Sequence, residues 1–342
     1  MIFLDGSQGE GGGQIVRSAI TLSCLTGEAV RVENIRAGRK PRGLRPQHVA
    51  AVRAAAQLCE AAIAGVEVGS EALTFEPRAP VRSGVYEWAV GTAGSAALVL
   101  QTVLLPLALA EGRSELRVHG GTHVPHSPSG HYVRDVYAPA LLELGADVEI
   151  YVSAYGWTPE GGGTLTAYTS GGARLRGVDM RERGALERVF GVAVGCNLPA
   201  HIPQRMANRA RNLLRPHLAG APLDIRPQRA RSISTGAGIF LAAEYANGRG
   251  GVGVLGKRGM PSEVVAERAV QALLAFHDSG AAVDRHLADQ LILPLALAEG
   301  PSALRAEAIS SHCRTQAMVV RAFLPRAIHL DERTQTITVE AT

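Results

Sequence analysis

The chain predicts a mixed α/β (α+β) protein: a large domain of three similar units, with a smaller α/β domain inserted before the third. Three observations carry this. The octapeptide LPLALAEG stands at Leu105–Gly112 and again at Leu293–Gly300, with a strand-like stretch after each copy. The opening residues pass from an apolar start through a glycine-rich run into an apolar-periodic run, which reads as strand, loop and helix. Between the second and third units, roughly Glu182 to Phe276, the repeat gives way to a stretch of different character. The division is therefore 1–181 with 277–342 for the large domain, and 182–276 for the small one.

In unit one, Met1–Leu4 predicts a short buried strand. The glycines of DGSQGEGGGQIVR let the backbone approach a partner closely. The helix Ile15–Leu25 then sets Ile15, Ala19, Ile20 and Leu22 on one face and stops at Gly27. A strand Ala29–Ile35, an arginine-rich loop, a helix Gln47–Ala62 and a strand Val66–Val68 follow. Unit two continues from its octapeptide into the strand SELRVHGG, a loop, an amphipathic helix Tyr132–Leu144 and another strand. Unit three matches it with SALRAEAI and a helix Met318–Leu324. The inserted stretch predicts helices Pro203–His217 and Ser262–Phe276 and strands Gly238–Tyr245 and Val252–Lys257. Its GRGGVGVLGKRG reads as a hairpin turn in preference to a phosphate loop.

At 342 residues the chain is long enough for two cores, and with 46% apolar but only 4% aromatic residues those cores must be mainly Ala, Val and Leu. No apolar run reaches the roughly 20 residues of a membrane span, and no signal-peptide pattern opens the chain. Cys24, Cys59, Cys196 and Cys313 form no CxxC pair, so neither a zinc knuckle nor a disulfide framework is indicated, and a cytoplasmic, reduced protein is expected. The net charge is +4, carried almost wholly by arginine, since Lys40 and Lys257 are the only lysines. Arginine grips phosphate with two parallel hydrogen bonds. One cluster is Arg31, Arg36, Arg39, Arg42 and Arg45; a second is Arg205, Arg209, Arg211, Arg215, Arg226, Arg229 and Arg231. Such clusters mark a polyanion partner, although the second also fits a solvated face.

The glycine run holds one carboxylate, Glu10, and Arg17 follows a turn into the helix. The run lacks the Gly-Lys-Ser/Thr ending of a P-loop and the spacing of a dinucleotide fingerprint. A carboxylate beside an anion site implies a divalent metal between them; the alternative is a tight structural turn with a solvated Glu. After the matched strand each unit carries unusual side chains: Arg36, Arg39 and Arg42; then His119, His123 and His126; then Ser310, Ser311 and His312. The run HGGTHVPHSPSGH, which also holds His131, has ligands that would suit zinc, but ordinary loop histidines are the preferred reading. Trp88 and Trp157 read as packing residues, and Cys313 as a bystander.

DGSQGEGGGQIVRSA, IRAGR followed by Gln47 and His48, GTAGSAALVLQT, HGGT, GWTPEGGG, LADQLILP and SSHCRT, in that order, resemble the RNA 3′-terminal phosphate cyclases, from Asp5 to about Leu324. The resemblance implies three βαβαββ-type repeats related to those of enolpyruvyl transferases, with a smaller domain inserted before the third. It also implies conversion of an RNA 3′-phosphate end to a 2′,3′-cyclic phosphate with ATP and a divalent metal, Mg or Mn, through histidine-AMP and RNA-adenylate intermediates. His312 matches the nucleophile and Glu10 the metal ligand. Arg17, Arg36, Arg39 and Gln47 match residues binding the triphosphate or RNA phosphate, and Gln101 a nucleotide contact. Asp289 and Gln290 lie near the nucleotide in that scheme, Pro128 against adenine, and His286 where an aromatic ring commonly stacks. The loop RKPRGLRPQH departs in spacing, so Arg39, Arg42 and Arg45 stand as alternatives for the phosphate contact. The alternative function, a non-catalytic cyclase-like RNA-binding protein of ribosomal RNA processing, is opposed by the presence of His312. An enolpyruvyl transferase is opposed by the chain's length and asymmetry. No membrane partner is expected, and the oligomeric state is open.

Overall fold

Three four-stranded sheets share one pairing scheme in the computed structural model, which describes residues 1–341. The first runs β1 (Ile2–Asp5), α1 (Gln14–Thr26), β2 (Val30–Glu33), α2 (Pro46–Leu58), β3 (Ala62–Ala64) and β4 (Leu73–Glu76). The second runs β5 (Val85–Ala89), α3 (Ala96–Leu109), β6 (Ser114–Gly120), a helical stretch of α4 (Gly130–Tyr132), a π turn (Val133–Tyr137) and α5 (Ala138–Glu143), then β7 (Val148–Ala154) and β8 (Gly163–Thr169). The third opens with β9 (Asp179–Met180). In each, the first strand pairs parallel with the second, the second antiparallel with the fourth, and the fourth antiparallel with the third. Repetition of a register, rather than of residues, makes these the same βαβαββ unit.

Between β9 and the rest of its unit lie β10 (Leu186–Cys196), α6 (His201–Leu214), β11 (Leu223–Ala230), β12 (Gly236–Tyr245), β13 (Gly248–Leu255) and α7 (Ser262–Ser279). The third unit then resumes with α8 (Arg285–Leu297), β14 (Ser302–Arg305), α9 (Ser311–Phe323), β15 (Ile328–Asp331) and β16 (Thr336–Val339). The insertion thus leaves the third unit after its first strand. Its sheet, ordered β11-β10-β12-β13, packs on α6 and α7 with an apolar cluster of its own that includes Val189, Met206, Leu214, Leu241, Leu273 and Phe276.

Several expected boundaries move. β1 forms the sheet edge and leaves Phe3 70% exposed, so it is only partly buried. Val66–Val68 is not a strand; β3 and β4 flank it, because β4 is the segment that finds β2. α2 ends at Leu58, before the strand that replaces its expected last turn. The helix expected at Tyr132–Leu144 is broken by the π turn, and α9 begins at Ser311, well ahead of Met318. β10 and β11 add to the strands expected, and GRGGVGVLGKRG is not a hairpin turn: its Gly248–Leu255 is strand β13, and the turn lies just ahead of it at Ala246–Asn247, because these glycines let β13 pair closely with β12. Cys24 and Cys59, distant in sequence, bring their sulfurs to 3.8 Å as buried free thiols.

The large core is aliphatic. α3 is buried on nearly every side, and α1, α2, α8 and α9 turn residues such as Ile15, Val52, Leu291 and Val320 onto it. Each such side chain contributes about 1.5–3 kcal/mol. No helix among the described residues is long and apolar enough to cross a membrane.

Two features join the insertion to the repeats. Tyr155 and Trp157, in the β7–β8 connection, pack with Val192, Val194, Cys196 and Phe240 of the inserted sheet. His123 and His131 lie against the same rings. The Thr122 hydroxyl accepts from Gly156 N and is hydrogen-bonded to His123 Nδ1 (2.8 Å), and His123 Nε2 is hydrogen-bonded to His131 Nδ1 (2.8 Å). Burial, then the charge of Arg134, pushes His131 down to about 3, and burial drives His123 down as well. The second feature is Asp284, the cap of α8. Its carboxylate accepts from the amides of His286 and Leu287, from Gly251 N in β13, and from the Tyr132 hydroxyl at 2.9 Å.

Two outcomes follow. An unfolded histidine titrates near 6.5, so below that pH the unfolded chain binds protons that His123 and His131 refuse in the fold. Stability is whole above about pH 6.5 and falls as pH drops toward 3; urea midpoints at pH 7 and 5 measure the loss, and NMR signals of these rings should stay still across that interval. Asp284→Ala removes a cap and strands a buried hydroxyl, costing about 2–4 kcal/mol. Tyr132→Phe in that background should add less than it costs alone, a coupling that denaturation of the four proteins reads directly.

Candidate active site

The glycine loop is held in place from the third unit. Glu10 N donates to Thr315 Oγ1 (2.9 Å), which itself donates to the Ser311 carbonyl in α9. Gly9 has φ +62°, and a Cβ there would lie 2.1 Å from Thr315 Oγ1, so only glycine satisfies both the dihedral and the contact. At the other end of the loop a Cβ on Gly13 would meet His48 Nε2 at 2.1 Å. His48 sits in the first turn of α2, where Nδ1 accepts from Arg45 N (3.0 Å). Burial and the charges of Arg17, Arg36 and Arg45 push His48 down to about 3, so it stays neutral.

The first turns of α1, α2 and α9 therefore meet, and none carries an acidic residue. Free N–H groups and positive dipole ends gather there, as an anion requires. The arginines reinforce them. Arg36 takes a left-handed backbone (φ +57°), its buried Nε has no partner, and burial with the charges of Arg45 and Arg39 lowers its pKa. An orphaned donor among like charges is a site short of an anion. Arg39 pairs with Glu10 Oε2 at 2.8 Å, which makes Arg39, of the alternatives at that loop, the one joined to the glycine run. Arg42 and Arg45 form no ion pair among the described residues.

His312 is the second residue of α9, not a loop residue, because Ser310 caps the helix by accepting from Cys313 N. Its Nδ1 lies 2.7 Å from Gln14 Oε1. The Gln14 amide nitrogen is turned away toward Gln316 Oε1 (3.2 Å) and Asp289 Oδ1 (3.5 Å), and Ser18 Oγ donates to the same Gln316 oxygen. This network assigns Nδ1 as the donor and leaves the lone pair on Nε2. Burial lowers the His312 pKa; Arg17, His286 and Arg39 lower it further against the opposing charge of Glu10. The ring is neutral at physiological pH with its outer nitrogen available.

Beside it, a cleft of about 80 Å³ is lined by Gln14, Arg17, Gln101, Asp289 and Gln290 among others. Gln101 Nε2 donates to Gln290 Oε1 (2.7 Å), tying α3 to α8. Burial and the nearby Asp284 hold the Asp289 carboxyl well above the usual range, with Arg17 pulling the other way. Gln47 accepts from Ser95 N (2.9 Å), joining α2 to the cap of α3. Pro128 and the exposed His286 are not among the cleft residues; His286, in the first turn of α8, is near enough to act on His312 by charge. The histidines of the second unit disperse: His119 bonds Glu87 and Thr164, His126 is exposed, and no three metal-binding side chains come together among the described residues. Cys313 is buried and its thiol pushed up by that burial. Trp157 is buried, whereas Trp88 stacks on Tyr86 and donates to Gln57.

Sequence reasoning missed Gln14 and Asp284. An aspartate directly ahead of an apolar-periodic helix signals a cap, so Asp284 was within reach. Glutamine has no signature of its own, and Gln14 acquires a role only through residues nearly three hundred positions away.

The model of the family "RNA 3'-terminal phosphate cyclase" matches residues 8–330. A Nostoc punctiforme protein named RNA 3'-terminal phosphate cyclase is 46% identical over 349 residues, covering 100% of this chain and 99% of its own. Proteins of the same name from Methylococcus capsulatus and Archaeoglobus fulgidus are 49% and 41% identical, covering 94% and 97% of this chain and 91% and 98% of their own. The chain belongs to the RNA 3′-terminal phosphate cyclase family.

Replacing Gln14 by glutamate sets a carboxylate against His312 Nδ1 and favours the imidazolium. The acid limb of the pH–rate profile should then move up by about one unit, whereas Gln14→Ala should slow the reaction without moving it upward. Profiles that coincide for the two variants would assign Gln14 a packing role only.

Proposed function

We propose that this member of the cyclase family converts an RNA 3′-phosphate end to a 2′,3′-cyclic phosphate at the expense of ATP, with His312 as nucleophile. The observation that carries this is the Gln14–His312 hydrogen bond, which leaves Nε2 unprotonated beside a cationic, acid-poor meeting of helix N-termini. His312 Nε2 attacks the α-phosphorus of ATP; the Nε2–P bond forms as the bond to pyrophosphate breaks. The ring keeps its proton on Nδ1 and becomes cationic, and Gln14 Oε1 accepts a stronger hydrogen bond from it. Arg17, Arg36 and Arg39 offset the charge gathering on the pyrophosphate. The RNA 3′-phosphate then takes AMP from His312, and the neighbouring 2′-hydroxyl closes the ring by displacing AMP. Gln101, Asp289 and Gln290 line the cleft beside Arg17 and are suited to the nucleoside; supporting nucleotide contacts are proposed for Gln47, Pro128 and His286 on the family resemblance alone.

A divalent ion, Mg or Mn, fits the donor set in one way. Glu10 supplies a single carboxylate whose side chain is largely buried, and a small divalent cation is commonly held by one carboxylate with substrate phosphates completing its shell. Bound there it would supply positive charge to the phosphates. The thiols, all free, suit a reducing cytoplasmic setting.

With α-labelled ATP and magnesium the protein should acquire label, and His312→Ala should acquire none. An RNA oligonucleotide ending in a 3′-phosphate should become phosphatase-resistant only when ATP is present. Label persisting in His312→Ala would reassign the nucleophile; protection without ATP would favour a binding role.

A further inference from the structure

The arginines between residues 205 and 231 separate by environment. Arg205 and Arg209 on α6 are neutralised by Glu263 and Glu267 on α7, at 2.7 and 2.6 Å. Arg211 donates to the Ile225 carbonyl, and Arg226 pairs with Asp224 at 2.6 Å. Arg229 and Arg231 have no carboxylate partner among the described residues; Arg229 reaches only the Leu198 carbonyl, at 3.1 Å.

Strand register puts them at one end of the inserted sheet. Gly195 pairs with Arg229, Cys196 with both Ala230 and Gly236, and Gly238 with Leu255, so β11 and β13 end together. Arg229, Arg231, Lys257 and Arg258 are all exposed there. The segments that meet at this end, 194–201, 227–239 and 252–261, contain no Asp or Glu. Glu187, Asp224 and Glu244 all lie toward the opposite end. The sheet is polarised along its strands.

The basic end is also the docked end. Ser232 Oγ donates to the Tyr155 carbonyl (2.6 Å), and Ser234 Oγ lies within 3.0 Å of the carbonyls of Trp157 and Gly161. Exposed Ile233 rests on Gly162, and Gly161 packs on Thr92 and Ala93. Ser95, next along, is held by Gln47 at the start of α2. One belt of loops therefore runs from these cations to the arginine site. Exposed Glu160 lies on this belt, and Asp135, paired with Arg134, is near enough to act on Tyr155 by charge.

We propose that this end of the inserted sheet, through Arg229, Arg231, Lys257 and Arg258, is the docking surface for the RNA strand upstream of the 3′-phosphate. It rests on the cyclase reading for the identity of the polyanion. Four unneutralised cations with no acidic residue between them match a phosphodiester backbone and read charge without sequence. Helix α6, whose arginines are spent on α7, takes no part.

The test is binding without ATP, by anisotropy of a labelled 20-nucleotide RNA with a 3′-phosphate and by competition with a trinucleotide ending in the same group. With all four residues changed to Ala, the 20-mer should bind at least tenfold more weakly and its salt slope should fall by up to about 3, at about 0.7 per lost phosphate contact. Trinucleotide affinity should stay within twofold, and Arg205→Ala/Arg209→Ala should bind both RNAs as the parent does. If the fourfold variant melts early, Lys257→Ala/Arg258→Ala should give half the slope change. An unchanged 20-mer, or equal losses for both lengths, overturns the proposal. Failure of the cyclase reading would show instead as unlabelled parent protein in the ATP assay.

Discussion

The hydrogen bonds that clasp the start of α9 to the start of α1 are the constraint on which the rest of this structure depends. Thr315 holds the glycine loop, Gln14 holds His312, and Gln316 holds both Gln14 and Ser18. The partners come from opposite ends of the chain, so the closure entropy is recovered only when the whole fold is complete. The buried polar groups are mutually satisfied, which lets them fix one geometry where an apolar contact would allow several. Loosening this clasp would free the ring and the glycine loop together.

Around the clasp the molecule tolerates an arrangement that opposes stability. Arg17, Arg36, Arg39 and Arg45 are close enough to perturb their neighbours, yet among the described residues Glu10 is the only carboxylate paired with any of them. Like charges and an unpartnered Arg36 Nε cost the fold free energy. Aliphatic cores in each unit and an Asp284 hub fastening α8, β13 and the second unit offset that cost. A polyanion arriving there would relieve that repulsion.

Much of this was legible in the sequence because it is written in local chemistry. Glycine at positions needing positive φ, an octapeptide duplicated in α3 and α8, and arginine in place of lysine all show before any contact is known. What stayed hidden depends on partners. Val66–Val68 alternates as well as a strand should, but pairing with β2 falls to Leu73–Glu76. The glycines of β10 hide a central strand, since Gly191 suits the close approach of β12 and Gly195 that of Pro203 in α6. The arginines of the second cluster could not be told apart until the carboxylates of α7 were seen to neutralise Arg205 and Arg209 and to leave Arg229 and Arg231 without a carboxylate.

A repeat of one βαβαββ unit also explains how so asymmetric a site arises. Each unit offers helices at equivalent places, and the three contribute differently to the candidate site: the first a glycine loop and arginines, the second Gln101 within α3, the third His312 and the cleft-lining Asp289 and Gln290. Placing the proposed nucleophile, His312, at a helix N-terminus has a further effect. The positive end of α9 disfavours an imidazolium, adding to the burial and arginine charges that already lower His312. The same end attracts anions. In the proposed reaction a neutral ring and an anionic target are thus favoured by one dipole, and no base is needed to deprotonate the ring.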